Sequence, residues 1–513
     1  MLRTPFARRA LSLALAGTLI PAATATVAQP QARGAAAPPI DPARIEHQLR
    51  PTVRLAGRED VAYHLADRMK YYHVPGVSIA IIDDGRIVWA KGYGVKEFGT
   101  SQPVDTATLF LAGSISKPVF ASGALRLVEL GKLSLDEDVN RSLTSWKLPE
   151  SEFTANEKLT LRRLLSHTAG LTVWGFPGYA ADKPIPTVTQ ILDGAPPANT
   201  DPVRSDTTPA ARWRYSGGGF TVAQLLTTDV TGEPFPALMQ RLVLRPAAMQ
   251  HSTYENPPPR ARVALTAAGH ERVDTPVPGR YHIYPEMAAA GLWTTASDLA
   301  RWAIAISRSY LGQPGGLLSQ ATAREMLTPQ VQLQPPYGTG SWGLGVALEG
   351  EGDLLRFSHG GRDEGFVANL VMWPHRGRGF VVMMNGVNGY LITEIARGYA
   401  ELYGLPSLWE RMEKPLAAAD PASLDAATGR YRAIDDGDTL SWVVRREGNE
   451  LRMMSPLGNE LTVLPQGKDA YFDLETGTDW AFERDPSGAV VRMVQQQGTR
   501  RLVAERVAAG APR

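Results

Sequence analysis

Ser114-Ile115-Ser116-Lys117 is the only place in the chain where a lysine follows a serine by three residues, and an apolar stretch passes there into a helical pattern. Upstream runs Leu109-Phe110-Leu111-Ala112-Gly113; downstream, Val119, Phe120, Ala124, Leu127 and Val128 recur at helical spacing until Gly131. A serine in the first turn has its hydroxyl beside unpaired backbone N–H groups, and a lysine three positions on shares its face. Serine becomes a nucleophile only when a base takes its proton, and lysine can do so only if desolvation or a nearby cation lowers its pKa. The N–H of Ser114 could face a developing oxyanion. The same four residues also describe a helix-capping serine beside a solvated lysine, so other segments must decide.

Two do. Trp213-Arg214-Tyr215-Ser216-Gly217-Gly218-Gly219-Phe220 joins an aromatic tripeptide to a triple glycine ahead of a helical pattern over Thr221 to Thr228. Phe357-Ser358-His359-Gly360-Gly361 leads into an apolar run Phe366 to Trp373, a turn at Arg376-Gly377-Arg378-Gly379, and a second run Phe380 to Met384, which predicts a β-hairpin. In this order, the three segments resemble the serine β-lactamase and penicillin-binding-protein superfamily, particularly its class C-like esterase and D-aminopeptidase branch. The resemblance covers residues 55–405. It is carried further by Leu164-Leu165-Ser166-His167-Thr168, by Ala290-Gly291-Leu292-Trp293 ahead of Asp298, and by a hairpin of Val77 to Ile82 and Ile87 to Lys91 around Asp83-Asp84-Gly85.

The resemblance implies an α+β domain, an antiparallel sheet flanked by helices with an all-helical subdomain. It also implies an acyl-enzyme mechanism with Ser114 as nucleophile, Lys117 as its proton partner and Tyr215 as phenolate base or proton shuttle. His359 stands where the lactamase motif has lysine, able to donate to Tyr215 or to a substrate oxygen, with a charge that changes near neutral pH. The backbone N–H groups of Ser114 and Arg362 would form the oxyanion hole, and Gly360 and Gly361 would let the strand approach the substrate. Gly217 occupies the usual place of an asparagine that reads a substrate amide. Its loss disfavours β-lactams, leaving esters and small D-amino-acid amides or peptides as the expected substrates. A true β-lactamase or D-Ala-D-Ala carboxypeptidase is the alternative. A catalytically weak ligand-binding or sensor protein on the same fold, or a scaffold for the C-terminal domain as a lipid or wall-fragment binder, stands further off.

Arg3, Arg8 and Arg9 precede a short apolar core, Leu11 to Ile20, and small residues that suit cleavage after Ala28. Residues 1–28 are therefore expected to be a signal peptide, by the general or the twin-arginine route, giving a periplasmic or secreted product without stable membrane insertion. Residues 29–54 read as a flexible segment and 406–425 as a linker. Residues 426–508 show short alternating runs, among them Ser441 to Arg446, Glu450 to Met454, Trp480 to Arg484 and Arg501 to Arg506, which predict a small antiparallel barrel or sandwich. By position and pattern this resembles the lipocalin-like domain appended to some hydrolases of the superfamily.

The chain has no cysteine, which excludes disulfides and thiolate chemistry. Its nine histidines show no metal-ligand spacing, so no metal or other cofactor is expected. A net charge of +1 with interspersed signs offers no nucleic-acid stripe. The expected partner is a small ester, peptide or β-lactam-like molecule, and the oligomeric state stays open. Several polar and aromatic residues have a plainer reading: His167 as a buried histidine inside a helix, Trp174, Trp213, Trp293 and Trp342 as core, Asp298 as the first-turn charge of a helix Asp298 to Ser307, and Asp363 and Glu364 as a solvated loop.

Overall fold

The computed structural model describes residues 40–507 apart from 273, 335–337, 339, 407, 409, 436–437, 457–459 and 499. The expected signal peptide lies outside the described residues. Eight strands form one antiparallel sheet, in the spatial order Val331–Gln332, Ser341–Trp342, Ala347–Glu349, Arg356–Asp363, Phe366–Trp373, Arg378–Met384, Gly76–Asp83 and Arg86–Gly94. The N-terminal hairpin thus joins a hairpin from nearly three hundred residues later, with Ile79 opposite Val382 and Ile81 opposite Phe380.

Both faces of this sheet are covered, and for that reason its central strands read as continuous apolar runs rather than alternating ones. Leu370, Met372, Val381 and Met383 join the core that holds Trp302 of helix Ala296–Leu311. Their neighbours Trp373 and Phe380 point to the other face, where both rings meet Tyr399 of helix Tyr390–Tyr403. Helix Ser116–Glu129 is buried on nearly every side. Its Phe120 packs on Phe220 of helix Gly217–Thr231 and on Phe235, which ties it to the helical part of the domain.

The C-terminal strands, from Gly429–Asp435 to Arg500–Arg506, close into an eight-stranded antiparallel barrel, sealed by Tyr431 opposite Arg506. The expected α+β domain and β-barrel are both present. Strand Gly429–Asp435 alternates exposed Arg430 and Arg432 with buried Tyr431 and Ala433, and the exposed apolar Ile434 breaks the pattern, so the strand was not among those read from sequence. Tyr431, Trp442, Leu451, Met453, Val463, Tyr471, Trp480, Phe482 and Met493 pack together as the barrel core.

Segments outside the two domains are also built in. Strand Val53–Leu55 pairs in parallel with Met412–Lys414, and Ile45, Leu49 and Val53 are buried. A buried network continues from there into the barrel. Arg68 makes a two-pronged ion pair with Glu394 (2.7 and 2.5 Å), and the Tyr71 hydroxyl donates to Glu475 of the barrel at 2.8 Å.

Candidate active site

A short 3-10 turn, Gly113–Ile115, presents Ser114 just before helix Ser116–Glu129 begins. Gly113 adopts φ 52°, and a side chain there would collide with the Arg362 backbone. The turn therefore lies flush against strand Arg356–Asp363, with the Arg362 peptide beside the Ser114 peptide. That strand is paired with Ala347–Glu349 only through Arg356, Phe357 and Ser358. From His359 onward this edge is left open, and it faces a cleft of about 890 Å³ lined by Ser114, Lys117, Tyr215 and residues 358–365.

Lys117 Nζ lies 3.0 Å from Ser114 Oγ and donates to the Ala289 carbonyl at 2.9 Å. The lysine is 2 % exposed. Burial pushes its pKa from 10.5 down to about 7, against a smaller upward pull from Asp363. Near neutral pH the amine is therefore substantially uncharged, with a lone pair able to accept the Ser114 proton. Tyr215 stands on the other side, its ring centroid 4.8 Å from Lys117 Nζ. Burial holds its phenol well above 10, an effect that a hydrogen bond with Ser114 offsets only in part. A preformed phenolate is excluded by this environment; the phenol fits the shuttle role.

His359 departs from its expected behaviour. Burial, then the neighbouring Lys117, push its pKa down to about 3, so the imidazole stays neutral through the physiological range. Its Nδ1 lies 2.5 Å from the Gly360 carbonyl and must carry the proton, so Nε2 holds a lone pair, and that atom has no partner. The ring is 6.3 Å from that of Tyr215 and makes no hydrogen bond to it. Nε2 can only accept a hydrogen bond; the expected donor role and the titration near neutral pH are both corrected.

The glycines are also reassigned. A Cβ on Gly361 would collide with the Ala112 carbonyl, so this glycine admits the nucleophile turn rather than the substrate. Gly360 is exposed in the cleft, with room around it. Gly217 opens helix Gly217–Thr231, and a Cβ there would lie 3.0 Å from the Phe176 ring and 3.2 Å from the Trp174 carbonyl oxygen. Any side chain here is crowded, and the Phe176 ring would have to give way for an asparagine.

Some of the plainer readings change as well, wholly or in part. Asp363 is not solvated: it is buried at the end of its strand, and its carboxylate accepts from the Gly113 N–H at 3.1 Å. Burial raises its pKa well above the usual carboxylate range, while nearby Lys117 opposes the rise. Glu364 is half-buried in the cleft wall. Trp174 is 73 % exposed at the cleft, contrary to its core reading; Trp342 is buried as expected but also lines the cleft, and Trp293 is core. Asp298 is the first-turn acid as expected, in a helix that starts two residues earlier (Ala296–Leu311, capped by Thr295), and it is fully buried, accepting from the His251 N–H and the Ser252 hydroxyl. His167 is buried as expected, but in a left-handed turn (φ 58°) after helix Leu161–Leu165. It accepts from the Ser216 N–H at 3.1 Å, and its ring lies 4.2 Å from that of Tyr215, backing the phenol. Glu286, buried just before helix Met287–Ala290 and pushed up to about 8, was missed; no motif surrounds it. Among the described residues there is no cluster able to hold a metal ion, and no helix long and apolar enough to cross a membrane.

The Beta-lactamase family profile matches residues 61–401. Penicillin-binding protein 4 of Amycolatopsis lactamdurans is 28 % identical over 376 residues, 69 % of this chain and 92 % of that protein. Unguisins hydrolase of Aspergillus violaceofuscus is 25 % identical over 371 residues, 64 % and 61 % of the two chains. In fold, the chain is similar to the octameric penicillin-binding protein homologue from Pyrococcus abyssi, with a TM-score of 0.58 at 21 % identity, covering 86 % of this chain and 98 % of the other.

Proposed function

This chain belongs to the Beta-lactamase family and is a serine hydrolase, and from that premise we propose that Ser114 forms the acyl-enzyme and that esters and small D-amino-acid amides are its substrates. The observation that carries the proposal is the 3.0 Å approach of a buried, largely neutral Lys117 to the Ser114 hydroxyl. As Ser114 Oγ attacks the carbonyl carbon, its proton passes to Lys117 Nζ. The backbone N–H groups of Ser114 and Arg362 receive the charge that develops on the carbonyl oxygen, a contribution of about 10²–10³ in rate for each such donor. The Tyr215 phenol supplies a proton to the departing alkoxide or amine and regains one from the Lys117 ammonium, which holds the proton taken from Ser114. Water then attacks the acyl-enzyme with the same groups reversed.

Two features favour esters over β-lactams. A neutral His359 supplies no cation for a β-lactam carboxylate, and Gly217 offers no side-chain amide. Export rests on the charged start, apolar core and small residues of positions 1–28. The test is fluorophosphonate labelling with peptide mapping, followed by hydrolysis of a nitrophenyl ester. Adduct on Ser114 in the wild type, and a loss of about a thousandfold or more in Ser114→Ala, is expected. Labelling elsewhere, or a mutant that keeps a tenth of the activity, overturns the assignment. A chromogenic cephalosporin turned over faster than any ester overturns the substrate class.

A further inference from the structure

We propose that Gln224 is a positioning residue for acylation: its side-chain amide clamps segment 285–288 so that the next carbonyl, that of Ala289, holds the Lys117 amine against Ser114. This rests on the Ser114 reading above and adds to it a residue outside its motifs.

Gln224 lies on helix Gly217–Thr231 and is 1 % exposed. A glutamine so deeply enclosed destabilises the fold unless both ends of its amide are paired. Here Nε2 donates to the Pro285 carbonyl at 3.0 Å, and Oε1 accepts from the Ala288 N–H at 2.8 Å. These partners fix which way the amide faces, since a carbonyl only accepts and a backbone N–H only donates. One side chain thus grips two peptide groups three residues apart.

The gripped segment cannot hold its own shape. Helix Met287–Ala290 is a single turn, and a helix that short is unstable without outside support. The Ala289 and Ala290 N–H groups both turn back to the Glu286 carbonyl at 2.9 Å. Beyond the turn, the Leu292 N–H donates to Ser116 Oγ at 3.0 Å, which ties the segment to the first turn of helix Ser116–Glu129. The Ala289 carbonyl lies between these two anchors, 2.9 Å from Lys117 Nζ.

That carbonyl has a chemical task. When Lys117 takes the Ser114 proton it becomes an ammonium in a buried site, and its hydrogen bond to the Ala289 oxygen strengthens as the charge appears. The same contact keeps the amine from rotating away while Nζ stands 3.0 Å from Ser114 Oγ. An ammonium with one acceptor fewer gives up its proton more readily, so displacing the carbonyl pushes the Lys117 pKa further down from about 7 and weakens the base. The other titratable groups around Lys117 are Asp363 and His359 on strand Arg356–Asp363, Tyr215, and His167. Among the described residues the Gln224 amide makes only the two bonds given above, so its replacement leaves the bonds of those groups in place.

The test is the second-order rate of fluorophosphonate labelling of the full chain between about pH 5 and 9, which reports attack by Ser114. Gln224→Met keeps the length of the side chain and removes both polar ends. It should label about tenfold more slowly at pH 8, with the inflection moved down from about 7 by about half a unit or more. Thr227→Val is the control: it removes a buried hydroxyl that bonds only within the same helix, and it should keep the wild-type rate and inflection. A Gln224→Met profile that matches wild type, or an equal displacement in Thr227→Val, overturns the clamp, whatever either variant loses in stability. Hydrogen exchange of the wild type, read by mass spectrometry over residues 285–290, needs no variant. Protection at Ala288 is expected, and exchange there at the rate of an open chain overturns the clamp even where Gln224→Met does not fold. Label on Ser114 with an unmoved profile refutes the clamp alone, whereas wild-type label on another residue refutes the Ser114 reading and the clamp with it.

Discussion

Replacing Lys117 by methionine should make the protein more stable while destroying its activity. The lysine is fully enclosed, and holding its pKa at about 7 instead of 10.5 costs about 4–5 kcal/mol near neutral pH at 1.36 kcal/mol per tenfold change. Methionine fills a similar volume without that penalty but forfeits the contacts with Ser114 and the Ala289 carbonyl, worth about 1 kcal/mol each. The net expectation is a gain of about 2–3 kcal/mol at pH 7. Its pH dependence follows from the sign of the shift. The folded pKa is depressed, so between about 7 and 10.5 the unfolded chain binds a proton that the native protein excludes, and wild-type stability rises with pH across that window. The mutant lacks this slope, so its advantage is full below about pH 7, vanishes near pH 9 and reverses above it, where only the lost contacts remain. Urea denaturation of both proteins at pH 6, 7, 8 and 9, read by tryptophan fluorescence, measures it. A mutant less stable than wild type at pH 7, or an advantage that does not shrink as pH rises, refutes the reasoning that burial sets the lysine's pKa.

Three further outcomes follow from the same geometry. The pre-steady-state rate of acylation should rise with pH through about 7 as Lys117 loses its proton, with no separate step near pH 6.5 from His359; a wild-type stopped-flow profile that stays flat between pH 6 and 8 would contradict this. Gly217→Asn should leave cephalosporin hydrolysis below ester hydrolysis and cost about 1–3 kcal/mol in urea denaturation, because the new side chain must displace Phe176 and the Trp174 carbonyl; a gain in cephalosporin turnover without loss of stability would show that the segment yields. Glu394→Ala should destabilise the protein by about 3–5 kcal/mol by leaving the buried Arg68 guanidinium without its carboxylate, and a change below 1 kcal/mol would show that Arg68 reaches solvent.

Where a feature depends on a few neighbours in sequence, it was legible from the chain alone. Ser114 and Lys117 share a helical face because of their spacing, the hairpin Phe366 to Met384 is written as two apolar runs around Arg376-Gly377-Arg378-Gly379, and most barrel strands show as short runs between turn residues. Tyr215 and His359 were reached through the resemblance, which carries spatial information that spacing does not. What the tertiary structure alone decided is electrostatic and steric. Lys117 works near neutrality and His359 does not titrate there because each is enclosed by residues from several distant segments, and desolvation is a sum over all of them. Asp363 is buried because the turn at Gly113 folds onto it, Trp174 is exposed because backbone bonds from Gly217 and Gly218 hold its segment at the rim, and a side chain at Gly217 would be crowded because Phe176 packs there. None of these follows from residue type or local period, since burial is a property of what the rest of the chain brings alongside.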